Sequence, residues 1–441
     1  MGRVLITGTN SGCGKTTVTC AVLSALIARG ITPTVFKCGP DYIDAMFHRA
    51  ISGIQTHNLD PFFLDGNGLR SHLESHAGEL SVIEGVMGYY DGIVATDESS
   101  TYTVARETGT PVILVVSAKG ASSSLGAVLE GFVKHRPDSN IKGVIFNDAN
   151  GRRYPDLKRI ASDAGSRAYG YMPRKREWAI PSRHLGLFRA DEIAGFADTV
   201  SALGRQAEQT MDIDGLIELA GMAAALPTTG KSKAASNKSI KLAIARDEAF
   251  CFLYEENLEL LQALGCELVF FSPLRDNALP MPINGLYLPG GYPELHTKAL
   301  SVNTAMLTSI RQAVESGLPA IAECGGFLYL HDSLDGFPMC CAIGGRAFET
   351  KRLPRFGYIT LTAVQDNLLC KAGGSIRAHE FHYWESDSPG NGFTAKKAGR
   401  EISYPCVHST DTLYAGFPHL YFPANPAFAK RFVERMARYE G

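Results

Sequence analysis

A glycine-rich segment between a short apolar run and a helix-compatible stretch constrains the fold of this chain more than any other feature. The segment reads G8-T-N-S-G-C-G-K-T-T17 and follows the strand-like residues 4–6. Gly8, Gly12 and Gly14 allow a tight turn, so that backbone N–H groups and a helix N-terminus can surround phosphate oxygens. The sequence therefore predicts that the chain begins with a strand, a phosphate-binding loop and a helix.

Two side chains of this loop carry the predicted phosphate chemistry. Lys15 can reach the β and γ phosphates of a nucleotide, and the Thr16 hydroxyl can join the shell of a Mg2+ ion. Five residues separate Gly8 from Gly14, one more than in the common pattern, and Thr9 stands where a glycine is usual. A glycine-rich turn without nucleotide is the alternative. The predicted phosphate-binding residues are Gly8, Thr9, Asn10, Gly12, Gly14, Lys15, Thr16 and Thr17.

The same alternation of short apolar runs and longer helical patterns continues along the 441 residues. Apolar runs at 4–6, 33–37, 81–84, 112–117 and 143–147 are followed, after a polar segment, by runs at 240–245, 267–271, 285–288 and 319–323. This order predicts an α/β fold with parallel sheets in two domains, at 1–225 and 240–441, joined by a linker at 226–239. Beyond Gly344 the pattern predicts antiparallel strands and a final helix.

Charge and cysteine usage narrow the class of protein. The 43 Lys and Arg nearly balance the 45 Asp and Glu, so no broad basic field is available for nucleic acid, and a small polyanion such as a nucleotide is the expected partner. The ten cysteines include no C-x-x-C pair, which favours reduced thiols in the cytoplasm. Without a signal core or a long apolar run, we expect neither export nor a membrane span.

Acidic residues follow two of the predicted strands. Asp41 and Asp44 come after the second strand, and Glu84 and Asp91 lie at and beyond the end of the third. The carboxyl ends of parallel strands form the ligand-binding edge of such a sheet, so these acids are candidates for metal and acceptor binding. Helix caps and turns are the alternative for each of them. Asn147, at the end of another strand, could bind an adenine edge or form a turn.

The second half of the chain contains a candidate thiol nucleophile. Cys324 in A322-E-C-G-G326 lies between a strand pattern and a helix pattern, as in a nucleophile elbow whose following N–H, that of Gly325, binds an oxyanion. Gly291 in the L288-P-G-G-Y-P-E294 turn can supply a second N–H. His419 is the candidate base, distant in sequence as is usual for a Cys–His site. The alternatives are a core cysteine and a structural histidine.

Two further clusters have structural interpretations. His379 and His382 have a spacing that would place them on one face of a helix, but no third ligand is evident and the flanking aromatics indicate a strand or packed turn. Zinc is therefore the less favoured interpretation, and contact with substrate or a structural role is favoured over it. Cys340 and Cys341 are adjacent, which suits neither metal chelation nor a relaxed disulfide, so we interpret them as packing residues.

A series of ordered motifs resembles a known family, the cobyrinic acid a,c-diamide synthases, with their hydrogenobyrinic acid and Ni-sirohydrochlorin relatives. The loop itself resembles that of dethiobiotin synthetase. The resemblance extends from the first strand to the last helix. The motifs are the G8–T17 loop, K37-C-G-P-D-Y-I-D44, N58-L-D-P-F-F63, E84-G-V-M-G-Y-Y-D-G92, P181-S-R-H-L-G-L187, A245-R-D-E-A-F-C-F-L-Y254, S272-P-L274, L288-P-G-G-Y-P-E294, A322-E-C-G-G326 and R377-A-H-E-F-H-Y383.

This resemblance implies a dethiobiotin-synthetase-like domain followed by a class I-like glutaminase domain. It also implies an enzyme that uses ATP, Mg2+ and L-glutamine to amidate two acetate groups of a tetrapyrrole through acyl phosphates. Cys324 would be the nucleophile and His419 its base. The implied metal ligands are Thr16, Asp44 and Glu84, the acceptor region comprises Lys37, Asp41, Tyr42 and Asp91, and the oxyanion donors are Gly291 and Gly325.

Several points stay open at this level. The family tends to carry a further histidine where this chain has Tyr421, which allows a different choice of tetrapyrrole. The same amidation of hydrogenobyrinic acid or Ni-sirohydrochlorin is one alternative. A nucleotide-controlled ATPase switch and a glutaminase with the nucleotide as effector are two others. A homodimer is compatible with the sequence, and we expect no nucleic-acid partner.

Overall fold

A computed structural model describes residues 1–53, 55–175, 178, 195–226, 240–350, 353 and 355–439. Contacts divide the chain into two units, Met1–Lys231 and Ser232–Gly441. Of the predicted linker at 226–239, all but Leu226 lies outside the described residues, so its boundaries stay a prediction. In the described part of the chain, no helix has both the length and the apolar composition needed to cross a bilayer.

The first unit alternates strands and helices until a final helical pair. Its elements are β1 (Gly2–Gly8), α1 (Lys15–Ala28), β2 (Thr34–Cys38), α2 (Tyr42–Ser52), β3 (Thr56–Leu59), α3 (Gly66–His76), β4 (Leu80–Glu84), α4 (Thr101–Thr108), β5 (Val112–Ser117), α5 (Ser124–Lys134), β6 (Ile141–Asn147), α6 (Tyr154–Asp163), β7 (Arg167–Met172), α7 (Phe196–Thr210) and α8 (Ile213–Gly221).

The seven strands of this unit form one parallel sheet in the order β3-β2-β4-β1-β5-β6-β7. Successive side chains of β1 pack into the hydrophobic clusters on opposite faces of the sheet, because neighbouring residues of a strand point to opposite sides. Val4 and Ile6 pack with α1 on one face, and Leu5 packs with Phe36 on the other. Helices therefore cover both faces of the sheet, which explains the nearly continuous apolar runs of its central strands.

The second unit combines an α/β sheet with antiparallel sheets. Its elements are β8 (Ile240–Ala245), α9 (Glu255–Ala263), β9 (Cys266–Phe271), β10 (Gly285–Leu288), α10 (Thr297–Val302), α11 (Thr304–Glu315), β11 (Ala320–Glu323), α12 (Gly325–Leu330), β12 (Ser333–Leu334), β13 (Phe337–Pro338), β14 (Arg346–Glu349), β15 (Arg355–Ala363), β16 (Ser375–His382), β17 (Trp384–Ser386), β18 (Phe393–Lys397), β19 (Ser403–Cys406), β20 (His408–Ser409), β21 (Leu413–Gly416), β22 (His419–Leu420) and α13 (Pro426–Met436).

Three sheets organise this second unit. Strands β9, β8, β10, β11 and β21 run parallel in one sheet, and β20 adds an antiparallel edge to it. A five-stranded antiparallel sheet has the order β19-β18-β15-β16-β22, and a smaller sheet has the order β13-β12-β14-β17. The predicted α/β class, the antiparallel strands beyond Gly344 and the final helix are confirmed.

Candidate functional site

Close contacts in the first unit explain the glycines of the phosphate-binding loop. A Cβ on Gly8 would lie 2.1 Å from the Cys13 sulfur, and a Cβ on Gly14 would lie 2.1 Å from the Asn147 side-chain nitrogen. Gly14 also has a φ of 100°, a value that residues other than glycine rarely adopt. A larger residue at Gly8 would displace the Cys13 side chain, and one at Gly14 would displace the Asn147 side chain.

Lys15, the first residue of α1, folds back over this loop. Its Nζ donates a hydrogen bond to the Asn10 carbonyl oxygen at 3.1 Å, and its side chain is largely buried. Burial lowers the pKa of Lys15, and the nearby Lys37 lowers it further, whereas the carboxylates of Glu84 and Asp44 oppose the shift. An ammonium group that has lost most of its water interacts strongly with an anionic ligand.

A buried charge cluster lies beside Thr16, at the carboxyl ends of β2 and β4. The Thr16 hydroxyl donates to Glu84 Oε1 at 2.8 Å. Lys37 Nζ lies 3.1 Å from Glu84 Oε1 and 2.8 Å from Asp44 Oδ2, and all three charged side chains are at most 6% exposed. The structure therefore brings together four of the predicted metal and acceptor residues, including both proposed metal carboxylates.

The charges of this cluster determine the protonation of Glu84. Burial alone would raise the pKa of its carboxyl group, but Lys37 and His48 together with the Thr16 hydrogen bond hold the pKa well below its usual range. The sequence analysis missed His48, whose Nε2 lies 2.5 Å from Glu84 Oε2. Its position four residues after Asp44 places both on one face of α2, and this spacing was the available signal.

The remaining predicted residues at this edge of the sheet differ in their burial and in their contacts. Asp41 accepts hydrogen bonds from the backbone N–H groups of Ile43 and Asp44 at 3.0 and 3.2 Å, which confirms the helix-cap alternative. Tyr42 begins α2 and is nearly buried. Asp91 is exposed and accepts a hydrogen bond from the Gly88 N–H at 2.9 Å. A role for these residues in acceptor binding stays a prediction.

Asn147 contacts the loop at the end of β6. Its side-chain nitrogen donates to the Cys13 carbonyl oxygen at 3.0 Å, so it fixes the loop backbone directly before Gly14. A contact of Asn147 with an adenine edge stays a prediction.

In the second unit, Cys324 occupies a sharp turn between β11 and α12. Its φ of 46° and ψ of −103° lie in a region that residues other than glycine rarely adopt, and its backbone N–H donates to the Gly416 carbonyl oxygen at 2.8 Å. The side chain is 6% exposed. This strained strand-to-helix turn has the geometry that the nucleophile-elbow interpretation requires.

His419 lies on β22, and Gly290 lies beside both His419 and Cys324. A Cβ built on Gly290 would lie 2.4 Å from His419 Cε1 and 3.4 Å from the Cys324 Cβ. Gly290 therefore leaves the space in which the two side chains approach one another. The predicted Cys–His pair, 95 positions apart in the sequence, is adjacent in the fold.

Glu323 adds a third member that the sequence analysis missed. Its Oε2 lies 3.8 Å from His419 Nδ1, and both side chains are buried. The Leu420 N–H and the Tyr287 hydroxyl each donate to the Glu323 carboxylate at 3.1 Å and hold it in place. Its position directly before the candidate nucleophile was the only signal in the sequence.

The two predicted oxyanion donors are also adjacent. The Gly291 nitrogen lies 2.9 Å from the position of a Cβ on Gly325, and a Cβ on Gly291 would lie 2.1 Å from the Ala249 carbonyl oxygen.

Burial raises the pKa of the Cys324 thiol, and Glu294 raises it further, whereas a hydrogen bond from the N–H of Gly325 lowers it. Burial also raises the pKa of Glu294 to about 8. The thiol therefore requires a base before it can act as a nucleophile.

Comparisons with known proteins assign a family domain to each unit. Residues 4–187 match the CobQ/CobB/MinD/ParA nucleotide-binding domain, and residues 241–426 match the CobB/CobQ-like glutamine amidotransferase domain. The cobyrinate a,c-diamide synthase of Thermoplasma volcanium is 38% identical over 99% of this chain and 98% of its own length. The chain belongs to the cobyrinate a,c-diamide synthase family. Its relative of that name from Clostridium acetobutylicum is 36% identical over 98% of this chain and 100% of its own length.

Family membership confirms the resemblance found in the sequence and its two-domain α/β fold. One of the motifs that indicated the cobyrinate a,c-diamide synthase family, P181–L187, lies outside the described residues. The structure places Tyr421 in the core of the second unit. Its side chain is fully buried and its ring centroid lies 5.2 Å from that of Tyr254.

The two secondary clusters lie in the second unit. His379 and His382 lie on β16, where a spacing of three places them on opposite faces, so the favoured strand interpretation is confirmed and the alternative placement on one helix face is wrong. A contact with substrate stays a prediction. His382 stacks on Phe417 at 3.7 Å between centroids. Cys340 is buried as predicted, whereas Cys341 is exposed, and all ten cysteines, each among the described residues, are free thiols.

Proposed function

We propose that this chain amidates the a- and c-acetate carboxylates of cobyrinic acid with ATP and L-glutamine. The observation that carries the proposal is the pairing, in one chain, of a buried Cys324–His419 site with a Lys15 phosphate-binding loop. The first arrangement suits the release of ammonia from an amide, and the second suits the activation of a carboxylate. A glutamine-dependent ligase needs both reactions.

The glutaminase reaction begins when His419 accepts the proton of the Cys324 thiol. The thiolate attacks the side-chain amide carbonyl of glutamine, and the N–H groups of Gly291 and Gly325 stabilise the oxyanion. His419 then returns its proton to the leaving nitrogen, and water hydrolyses the thioester to glutamate. Glu323 acts as a positioning residue, because its carboxylate lies beside the imidazole nitrogen Nδ1.

In the ligase reaction, an acetate carboxylate attacks the γ-phosphate of ATP to form an acyl phosphate. The backbone of residues 8–14 surrounds the phosphates, and Lys15 neutralises the charge that develops on the transferred group. Ammonia then displaces phosphate from the acyl phosphate to give the amide. Lys37 is buried and contacts the carboxylates of Asp44 and Glu84, so it would hold both of them in position, and its direct contact with the acceptor stays a prediction.

The donor set around Thr16 fits a Mg2+ ion. Neighbouring ligands of an octahedral site with metal–oxygen bonds of 2.0–2.1 Å lie about 2.9 Å apart. Thr16 Oγ1 and Glu84 Oε1 lie 2.8 Å apart, and Asp44 provides a further carboxylate across Lys37. We propose that Thr16, Glu84 and Asp44 hold the ion. When bound, it would neutralise charge on the phosphate oxygens of ATP.

Cobyrinic acid as the substrate is tested by mass spectrometry of the purified protein with Mg2+, ATP and glutamine. Hydrogenobyrinic acid and Ni-sirohydrochlorin are run beside it, with a control without ATP. We expect two successive conversions of carboxyl to amide on cobyrinic acid, each requiring ATP. Conversion of a different macrocycle alone would transfer the proposal to that substrate, and ATP-independent conversion would contradict the ligase mechanism. A cytoplasmic location and a homodimer remain predictions.

Glu323→Gln tests the positioning role at the glutaminase site. We expect kcat for glutamine hydrolysis to fall by about 10²-fold, because the uncharged amide orients His419 poorly and does not stabilise its protonated form. KM for glutamine and amidation with added ammonium should change little. The readout is steady-state kinetics with each nitrogen donor, and Glu323→Asp should recover part of the loss.

Glu315→Gln, at an exposed position at the end of α11, serves as the matched control and should leave both activities unchanged. Equal losses with glutamine and ammonium in Glu323→Gln would indicate a general structural defect instead. A thermal unfolding curve of each variant separates these outcomes.

A further inference from the structure

Three histidines outside the site described above cluster between β3 and α3. His57 belongs to the edge strand of the sheet, and His72 and His76 lie one turn apart on the helix. One ring nitrogen from each lies within 4.8 Å of those of the other two. The ring centroids of His57 and His72 are 4.0 and 4.5 Å from that of His76. His57 is buried and the other two are half-buried.

The hydrogen bonds of His76 determine which of its nitrogens can bind a ligand. Its Nδ1 lies 2.9 Å from the His72 carbonyl oxygen, and because a carbonyl only accepts, we assign the ring proton to Nδ1. The Ser75 hydroxyl, which donates to the same carbonyl at 2.9 Å, lies 2.8 Å from this Nδ1. Nε2 of His76 therefore retains its lone pair. Metal-binding histidines commonly have this arrangement, with the second nitrogen donating to a backbone carbonyl.

We propose that His57, His72 and His76 form a binding site for one divalent transition-metal ion of the zinc class. Neutral imidazoles suit Zn2+ and its neighbours Co2+ and Ni2+, whereas Mg2+ and Ca2+ prefer oxygen ligands. Three histidines with a water molecule complete a tetrahedral shell. At Zn–N bonds of 2.0–2.1 Å the ligand nitrogens lie about 3.4 Å apart, so modest side-chain rotations would close the present cluster.

This site would join an edge strand to the helix that follows it. His57 directly precedes Asn58, whose side-chain nitrogen donates to the carbonyl oxygens of Gly39 and Asp41 at 2.9 and 3.3 Å. A bound ion would therefore stabilise the position of β3 and, through Asn58, the segment that ends β2 and caps α2. This role is separate from the proposed amidation, because none of the three histidines belongs to either reaction site.

The test uses full-length protein without an affinity tag, treated with a chelator and kept in excess Mg2+ so that the oxygen-rich site is occupied. Zn2+ is added, and bound zinc per chain is measured after gel filtration for the wild type, the double variant His72→Gln/His76→Gln and the control His135→Gln. His135 is exposed at the end of α5. We expect one more zinc ion per chain in the wild type and the control than in the double variant.

Thermal unfolding provides a second readout. Saturating Zn2+ should raise the Tm of the wild type and of His135→Gln by about 5 °C and leave that of the double variant unchanged, because only a site in the folded protein stabilises it. Equal zinc binding in all three proteins without a selective shift in Tm would overturn the proposal and leave the cluster as aromatic packing.

A chemical readout on the wild type decides the question if the double variant does not fold. Diethyl pyrocarbonate modifies accessible imidazole nitrogens, and peptide mapping locates the modified residues. Zn2+ should protect His72 and His76 at least tenfold, whereas His135 should react equally with and without the ion. Equal modification of His72 and His76 under both conditions would contradict the proposed site.

Discussion

Replacing Cys324 by serine should lower glutamine-dependent amidation by about 10⁴-fold, because a serine hydroxyl beside His419 is a much weaker nucleophile than a thiolate. Amidation with added ammonium should persist near the wild-type rate, since free ammonia bypasses the missing reaction. The measurement is amide formation by mass spectrometry with each nitrogen donor, combined with glutamate release from glutamine. The residue is buried in a strained turn, and serine preserves both its size and its backbone.

Cys341→Ser provides the matched control for this variant. Cys341 is an exposed thiol in the same unit, so its loss should affect neither activity. Equal losses of glutamine- and ammonium-dependent amidation in Cys324→Ser would contradict the division of the two reactions between two sites. Full retention of glutamine use would exclude Cys324 as the nucleophile.

Replacing Lys15 by methionine should lower amidation with both nitrogen donors and leave glutamine hydrolysis in place. Without the ammonium group, charge on the transferred phosphoryl is not neutralised, and we expect kcat for amidation to fall by about 10²- to 10³-fold with either nitrogen donor. Glutamine hydrolysis by the second unit should continue. Methionine keeps the length and the burial of the lysine stem, so the loop conformation should be retained.

Lys119→Met, at an exposed position after β5, is the control and should be as active as the wild type. Retained amidation in Lys15→Met would contradict the role of the loop in phosphoryl transfer. The pair of variants also separates the proposed ligase from its rivals, because a glutaminase with a nucleotide effector would form no amide and an ATPase switch would hydrolyse no glutamine.

The central strands of the seven-stranded sheet could be predicted because they are buried on both faces and consist of apolar residues. Strands β3 and β7, at the two edges of that sheet, were missed because polar residues such as His57, Asn58 and Arg167 interrupt any apolar run. Strand β3 is buried all the same, so burial alone does not produce an apolar run in the sequence. The short strand β22 was not predicted as a strand, and only its residue His419 was named, as the candidate base.

The candidate sites show a similar limit. Residue type and position near a turn identified Lys15, Glu84, Cys324 and His419. Their supporting neighbours Glu323 and His48 were missed, because a residue beside a nucleophile or one helical turn after an acid is a weak signal until the fold shows its contact with His419 or Glu84. Asp41 shows the reverse case, in which a suggestive acid has a local role that caps a helix.

The pairing of β22 with β16 has a consequence for how the protein is made. His419 lies opposite His379 in this antiparallel pairing, and it is synthesised 95 residues after Cys324. Because a nascent chain folds progressively as it leaves the ribosome, the thiol is present long before its base. A chain that ends before β22 would hold the Cys324 thiol without His419, and we expect it to hydrolyse no glutamine.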